Sequence, residues 1–299
     1  MDRTHEETWL LETATVRVGV LDVPASDPGW RQTWTTPERP QIAFPLAPIR
    51  TRVLGVPARR GDRVITPIHA MRSTPGWRYE REALDERGER SLVIEPTERS
   101  ALDGFESGVA AVPPEVAVAL RTLVRRLRRG CGLLEPVEAE EQALSIVSAT
   151  LRSAGARAGD VSRGLRGGVE LESTTEAHAD AVRCALELIE STPDRRLSLG
   201  ELGAHTRVSP AHLARIFRKH TGLTIAEAAR RSRLSRALDD ILDTADDLTA
   251  IAYRYGFADS AHFSKQCSSV FGSSPSSLRK SATTGQVRMI RQALEPVRV

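Results

Sequence analysis

The sequence predicts an α+β chain: an N-terminal β-domain with two trailing helices, then an all-α C-terminal domain in which two helix-turn-helix units are joined by a long helix. Three observations carry this prediction. Before Pro113 the apolar residues come in short runs cut by proline and glycine, with no helical period of useful length. From His178 onward a helical period returns and stays. Within that stretch one helix-turn-helix pattern occurs twice. At roughly 150 residues per domain, 299 residues make two domains.

Composition excludes several classes. Hydrophobic residues at 40% and charged residues at 27% are a globular mix, not a fibrous or wholly disordered one. No apolar run approaches the roughly 18 residues that a bilayer requires, so no membrane partner is expected. The opening residues Met1 to Glu7 have no signal-peptide pattern. Cys131, Cys184 and Cys267 form neither a disulfide framework nor a CxxC pair, which suits a reducing cytoplasm. Charge is divided unevenly. Residues 195–299 hold 17 Lys/Arg against 9 Asp/Glu, while residues 1–194 hold 25 against 30. A basic C-terminal third on a mildly acidic remainder fits a nucleic-acid-binding module, and equally fits an arginine-rich solvated surface.

In the first hundred residues the strand candidates are Thr15–Val20, Gln41–Phe44, Arg50–Gly55, Arg63–Thr66 and Ser91–Ile94, rich in Val, Ile and Thr. Turn residues at Pro24, Pro28-Gly29, Pro45, Pro57, Gly61-Asp62 and Pro75-Gly76 separate them, which predicts a small sandwich or barrel. Helices are then expected over Glu115–Arg129, closed by Gly130, and over Glu138–Ser153, ended by Gly155. The pair either covers the β-domain or forms a subunit interface that would make a homodimer; the sequence leaves both open. The glycine-rich, polar stretch 155–176 reads as a flexible linker. It divides residues 1–154 from residues 177–283, with 284–299 as a tail.

The repeat aligns Ser198-Leu199-Gly200-Glu201-Leu202-Gly203 with Asp247-Leu248-Thr249-Ala250-Ile251-Ala252, and Pro210-Ala211-His212-Leu213-Ala214-Arg215 with Ser260-Ala261-His262-Phe263-Ser264-Lys265. Ser198 with Glu201 predicts a capping box, and Asp247 a cap without its reciprocal partner. Ser209 before Pro210, and Asp259 before Ser260, open the second helices. Gly256 suits a turn at positive φ. Leu213, Ile216 and Phe217 should face inward, as should Phe263, Val270 and Phe271. Thr224–Asp243 lies between, with Thr224 and Glu227 as a further capping box. Its helix of about 19 residues would run ~28 Å, close to the ~34 Å of one duplex turn.

This organisation resembles the AraC/XylS family of bacterial transcription regulators over about residues 178–282. The motifs are Leu199-x-x-Leu202-Gly203, Ser209-Pro210-x-His212-Leu213-x-Arg215-x-Phe217-Arg218-Lys219 and Gly222, then Ile251-Ala252, Gly256-Phe257, Phe263-Ser264-Lys265 and Phe271-Gly272-x-x-Pro275-x-x-Leu278-Arg279. Gly203 stands where the family usually has Ala and Cys267 where it usually has Phe; both should loosen packing, by up to ~1 kcal/mol for the helical glycine. The resemblance implies double-stranded promoter DNA as partner, activation through RNA polymerase, and DNA contacts from Pro210, Ala211, Ala214 and Arg215 in the first unit and Ser260, Ala261, Ser264 and Lys265 in the second. Arg215 is the best candidate for a base contact, because guanidinium pairs in bidentate fashion with guanine. Arg218, Lys219, Arg254, Arg279 and Lys280 are phosphate candidates. Arg230, Arg231, Arg233 and Arg236 are expected to divide between phosphate-facing and solvent-facing sides. His212 and His262 are expected to cap, pack or meet a phosphate rather than hold a metal.

Gly61-Asp62-Arg63-Val64-Ile65-Thr66-Pro67-Ile68-His69 resembles the hairpin of cupin-type effector domains, so the β-domain is expected to be cupin-like and to sense a small-molecule effector of unknown identity. With only His5 and His69 in this half, neither a metal nor a cofactor is expected. Trp9, Trp30, Trp34 and Trp77 would either line a pocket or pack the core. Arg50, Arg52, Arg59, Arg60 and Arg63 would meet an anionic ligand or lie at a solvated strand edge. Two further readings stay open: an effector-free regulator whose N-terminal domain only dimerises, and an enzyme or cysteine-based alkyl-transfer domain fused to a DNA-targeting module. No catalytic residues are expected, because no His or Asp lies near a cysteine to activate it.

Overall fold

The computed structural model describes residues 8–30, 32–36, 39–54, 62–84, 88–97, 107–129, 135–164, 172–192 and 194–284. Among the described residues ten strands precede the helices: β1 (Thr8–Glu12), β2 (Val16–Val23), β3 (Thr33–Thr35), β4 (Gln41–Pro45), β5 (Ile49–Val53), β6 (Asp62–Ile65), β7 (His69–Ser73), β8 (Arg78–Ala83), β9 (Glu89–Pro96) and β10 (Gly108–Ala111). They form two antiparallel sheets, one in the order β1-β2-β9-β4-β7-β10 and one in the order β3-β8-β5-β6. Strands β2, β4, β5, β6 and β9 lie where Val, Ile and Thr cluster in the sequence.

The other five strands have weak local signals. The clearest case is β8, Arg-Tyr-Glu-Arg-Glu-Ala, which becomes a strand because β3 and β5 pair with its two edges. Its Arg81 is buried, bonded at 2.5 Å to the buried carboxylate of Glu89, with its guanidinium over the rings of Trp34 at 4.4 Å and Trp30 at 5.3 Å. Trp9 lies against Arg17 in the same way. These tryptophans therefore pack on charged groups of the β region itself.

Strand alternation aims Val16, Val18 and Val20 of β2, with Ile42, Phe44, Leu92 and Ile94, at one face of the larger sheet. Two helices cover that face: α1 (Pro114–Arg129), with Val116, Leu120 and Leu123 fully buried, and α2 (Pro136–Gly164), with Ala139, Ala143 and Ile146 fully buried. Covering the sheet is thus what this helix pair does. The helix expected to stop at Gly155 continues to Gly164. Glycine weakens a helix by about 1 kcal/mol but ends it only where φ turns positive, and the neighbouring Ala154, Ala156 and Ala158 are the strongest helix formers. The next helix, α3 (Glu172–Ser191), also starts inside the expected linker.

Six helices follow: α4 (Leu199–Thr206), α5 (Pro210–Thr221), α6 (Ile225–Asp243), α7 (Leu248–Arg254), α8 (Ser260–Phe271) and α9 (Pro275–Thr284). Ser198 and Glu201 form the expected capping box. Asp247 accepts from the N–H groups of Thr249 and Ala250, and Asp259 from that of His262. Ser209 occupies its cap position without a side-chain bond. Thr224 accepts from Glu227 N–H, but the carboxylate of Glu227 turns to Arg231 at 2.6 Å, so only half of that capping box forms.

The two turns solve one geometric problem differently. Arg207 and Gly256, equivalent in the repeat, both take the left-handed conformation, at φ 57° and 70°. A Cβ on Gly256 would lie 2.5 Å from the Asp194 carbonyl oxygen, whereas one on Gly222, which ends α5 at φ 72°, would meet nothing within 4 Å. Gly203 has no room either: a Cβ there would lie 2.8 Å from the carbonyl oxygen of Val208. Its effect is therefore to let the first turn close tightly, not to loosen it. In chemical denaturation Gly222→Ala should cost about 1 kcal/mol from backbone strain alone. Gly256→Ala should cost about 3 kcal/mol, because strain and a backbone clash add; equal losses would rule out the steric reading.

Candidate nucleic-acid interface

Each unit buries one helical stripe and presents another. In α5, Leu213, Ile216 and Phe217 are fully buried against Leu202, Val182, Ala185 and Ile189. The opposite face presents Pro210, Ala211, Arg215, Arg218 and Lys219 as exposed residues, with Ala214 half-buried. In α8 the fully buried residues are Phe263 and Cys267, while Val270 and Phe271 are only partly buried. Cys267 thus fills the core position where the family usually has Phe. Ser260, Ala261 and Lys265 are exposed, and Ser264 is half-buried. Among the residues of α5 and α8 anticipated as DNA contacts, none is buried.

Helix α6 connects the units and is buried along most of its length. Leu234, Ala237, Leu238 and Ile241 are fully buried, and even Ser232, Ser235 and Arg236 are shielded from solvent. For Arg231, Arg233 and Arg236 this differs from the expected division between phosphate and solvent, since each is tied within the chain. Arg236 donates to the Glu190 backbone oxygen at 2.9 Å and to its carboxylate at 3.3 Å, tying α6 to the end of α3. Arg233 donates to the carbonyl oxygens of Ala229 and Gly256, reaching the second turn, and lies 5.7 Å from the ring centre of Phe257. Arg231 pairs with Glu227. Guanidinium groups reach these carbonyls because they carry five donors in a fixed fork. Arg254, a phosphate candidate, is paired with Asp240 at 2.5 Å and Asp246 at 2.7 Å. Arg279 donates to the Ile241 carbonyl oxygen.

The N-terminal half docks on α6 and on the cores of both units. Val118 of α1 joins the core of the second unit, and Val64 and Ile68 join that of the first. Arg121 of α1 donates to Asp239 at 2.6 Å and to Ser235 at 3.1 Å, while Ser235 donates to the Pro67 carbonyl oxygen. Arg125 reaches Asp243, and Arg50 bridges Glu82 to Glu187 of α3. Arg50 is therefore committed within the chain. Arg59 and Arg60 lie outside the described residues, as does Cys131. Of the Gly61–His69 motif, Gly61 lies outside them too, and His69 bonds Thr66 through Nδ1 at 2.9 Å. The docking residues were not legible as site residues, since Arg121 and Asp239 are 118 positions apart. No helix among the described residues is long and apolar enough to cross a membrane.

Two helix-turn-helix units on one buried spacer define a tandem DNA-binding module. Residues 202–281 match a family model described as a helix-turn-helix domain. The chain is 34% identical over 100 residues to the HTH-type transcriptional regulator GlxA of Rhizobium meliloti, covering 33% of this chain and 31% of that one. It is 32% identical over 109 residues to the HTH-type transcriptional activator AarP of Providencia stuartii, covering 36% of this chain and 81% of that one. Among solved structures, a probable AraC family transcriptional regulator from Rhodopseudomonas palustris is 31% identical, with a TM-score of 0.32 over 34% of this chain and 96% of that one. The chain belongs to the AraC/XylS family of transcription regulators. Against GlxA it spans only about a third of the relative's length.

The docking contacts carry a stability prediction. Burial pushes the Asp239 carboxyl above the ordinary carboxylate range, and the charge and hydrogen bond of Arg121 offset only part of that. Arg121→Ala should cost about 2 kcal/mol near neutral pH, because it strands Asp239 without its partner. A carboxyl whose pKa is raised by folding favours the folded state below the ordinary carboxylate value and loses that advantage as pH rises through the raised value. The deficit of Arg121→Ala should therefore shrink on acidification. A deficit independent of pH in urea titrations would mean that Asp239 is not the group left without a partner.

Proposed function

We propose that this chain is a sequence-selective activator that binds double-stranded promoter DNA through both helix-turn-helix units and responds to a small-molecule effector through a cupin-like N-terminal region. The observation that carries the reading is the division of surfaces on one module. The outward faces of α5 and α8 are open, while the N-terminal half is seated on the spacer and on the cores of both units. An effector that altered the N-terminal half would thereby act on the relative setting of the two units without having to uncover them. The corresponding division is an effector and dimerisation domain over 1–154, a DNA-binding domain over 177–283 and a tail over 284–299, with the boundary inside 155–176, where α2 ends and α3 begins.

Arg215 is assigned a base contact and Lys265 a base or phosphate contact, with Arg218 and Lys219 on phosphates. Pro210, Ala211, Ala214, Ser260, Ala261 and Ser264 supply close approach and methyl or hydroxyl contacts. Three of these residues are alanines, so sequence selectivity draws also on duplex shape. Activation is supported by the likeness to AarP, an HTH-type transcriptional activator, and contact with RNA polymerase belongs to the same proposal. A homodimer through the N-terminal region belongs to the same reading, and gel filtration of the full chain tests it.

Titration of the full chain against a duplex selected from a random pool tests the assignment. Arg215→Ala should weaken binding by about 1–3 kcal/mol and relax selectivity at one base pair, whereas Lys219→Ala should weaken all duplexes alike and flatten the salt dependence. Unchanged binding by Arg215→Ala removes the base contact. A thermal-shift screen of the same chain separates an effector-responsive regulator from an effector-free one.

The alkyl-transfer alternative turns on thiol reactivity. Burial pushes the Cys267 thiol up to about 12, so the native protein should leave Cys267 unmodified by iodoacetamide at pH 8 and label it only after unfolding. Rapid native labelling at this position would revive that alternative.

A further inference from the structure

The first unit contains a hydrogen-bonded chain that the second lacks. Arg215 Nη2 lies 2.8 Å from His212 Nδ1, and His212 Nε2 lies 2.9 Å from His178 Nε2 on α3. The two imidazoles also pack together, with ring centres 4.8 Å apart and planes tilted by 57°. Arginine is a donor only, so His212 Nδ1 must accept. His212 then carries its proton on Nε2 and donates it to His178 Nε2, which fixes His178 as the Nδ1–H tautomer. Each ring is oriented by the next. His212 and Arg215 are three residues apart on one helix and so lie on adjoining parts of its surface, while His178 comes from a different helix. One of the five N–H donors of Arg215 is used, and the others are left for a ligand.

The second unit has His262 and Lys265 at the matching positions, but the arrangement differs. His262 faces Gln266 at 3.3 Å and the ring of Phe257 at 5.9 Å. In the register that aligns Ser198 with Asp247, the position matching His178 is Glu227 at the start of α6, whose carboxylate pairs with Arg231 and offers no ring. The matching positions of the two units are therefore held by different contacts.

We propose that His178, acting through His212, is a positioning residue that holds the Arg215 guanidinium in its base-reading orientation, so that base discrimination is concentrated under the first unit. This rests on the base-reading assignment of Arg215. Pre-ordering removes the rotamer entropy that a long exposed arginine otherwise loses on binding, and it restricts the guanidinium to one edge geometry.

The test uses the full chain, a duplex selected from a random pool by the wild-type protein, and duplexes with single base pairs changed under each unit. Binding is followed by fluorescence anisotropy. Arg215→Ala should lose about tenfold discrimination at one base pair under the first unit. His178→Phe, which keeps a ring but removes the acceptor, should lose roughly three- to tenfold of that same discrimination and little elsewhere. His178→Gln, which restores an acceptor at similar reach, should recover most of it. Adding His178→Phe to Arg215→Ala should change discrimination no further. If Arg215→Ala loses discrimination while His178→Phe keeps it, the positioning role is overturned and the base contact stands. Uniform weakening on all duplexes by His178→Phe, undiminished in the Arg215→Ala background, also overturns it, leaving only a structural contact. If Arg215→Ala itself discriminates like wild type, the base-reading assignment fails and the positioning role fails with it.

Discussion

Burial of the spacer helix on nearly every side is the constraint from which the rest of the molecule follows. A helix linking two DNA-reading units could lie at the surface, with one apolar stripe and one solvated face. Here α6 packs against α1, α3, α5, α7, α8 and α9. Its polar residues are consequently used as ties: Ser235 to Pro67, Arg236 to Glu190, Asp239 to Arg121. A helix packed to the density of a protein interior does not bend or slide continuously. The spacing and angle of the two units are held by that packing rather than by the helix alone.

This enclosure explains where the arginines go. The basic excess of the C-terminal third suggests a surface laid out for phosphate, yet much of it is turned inward. Arg233, Arg236 and Arg279 bond backbone carbonyls and Arg231 pairs with Glu227, while Arg254, though exposed, is held by Asp240 and Asp246. A buried charged pair adds little net stability, since desolvation cancels much of the attraction, but it penalises arrangements that would leave one member unpaired. The β region uses the same device in Arg81 with Glu89 between two tryptophans. What remains outward on the recognition helices is a small set, Arg215, Arg218, Lys219 and Lys265, beside alanine and serine.

Some features are legible in the sequence because their causes are local. The capping box of Ser198 and Glu201, the Asp247 and Asp259 caps, the positive φ of Gly256 and the inward stripe of Leu213, Ile216 and Phe217 each depend on residues within one or two turns. Others are local in appearance only. Gly155 reads as a helix stop, yet a glycine in right-handed geometry merely weakens a helix. Strand β8 looks too charged to be a strand until Trp34, Glu89 and its two neighbours are in position. Arg207 gives no sign that it, and not a glycine, occupies the left-handed turn of the first unit.

The amino-acid order by itself determined the tandem units, their outward faces and the helix between them, because repeat spacing, capping and helical period act over a few residues. Tertiary structure decided which charges are free, which histidine meets which arginine and how the N-terminal half sits on the spacer. Those depend on groups up to 168 positions apart, as with Ser235 and Pro67. A pattern of residue types along a chain records preference for a face or a turn, but it carries no information on which distant partner will satisfy a donor once water has been excluded.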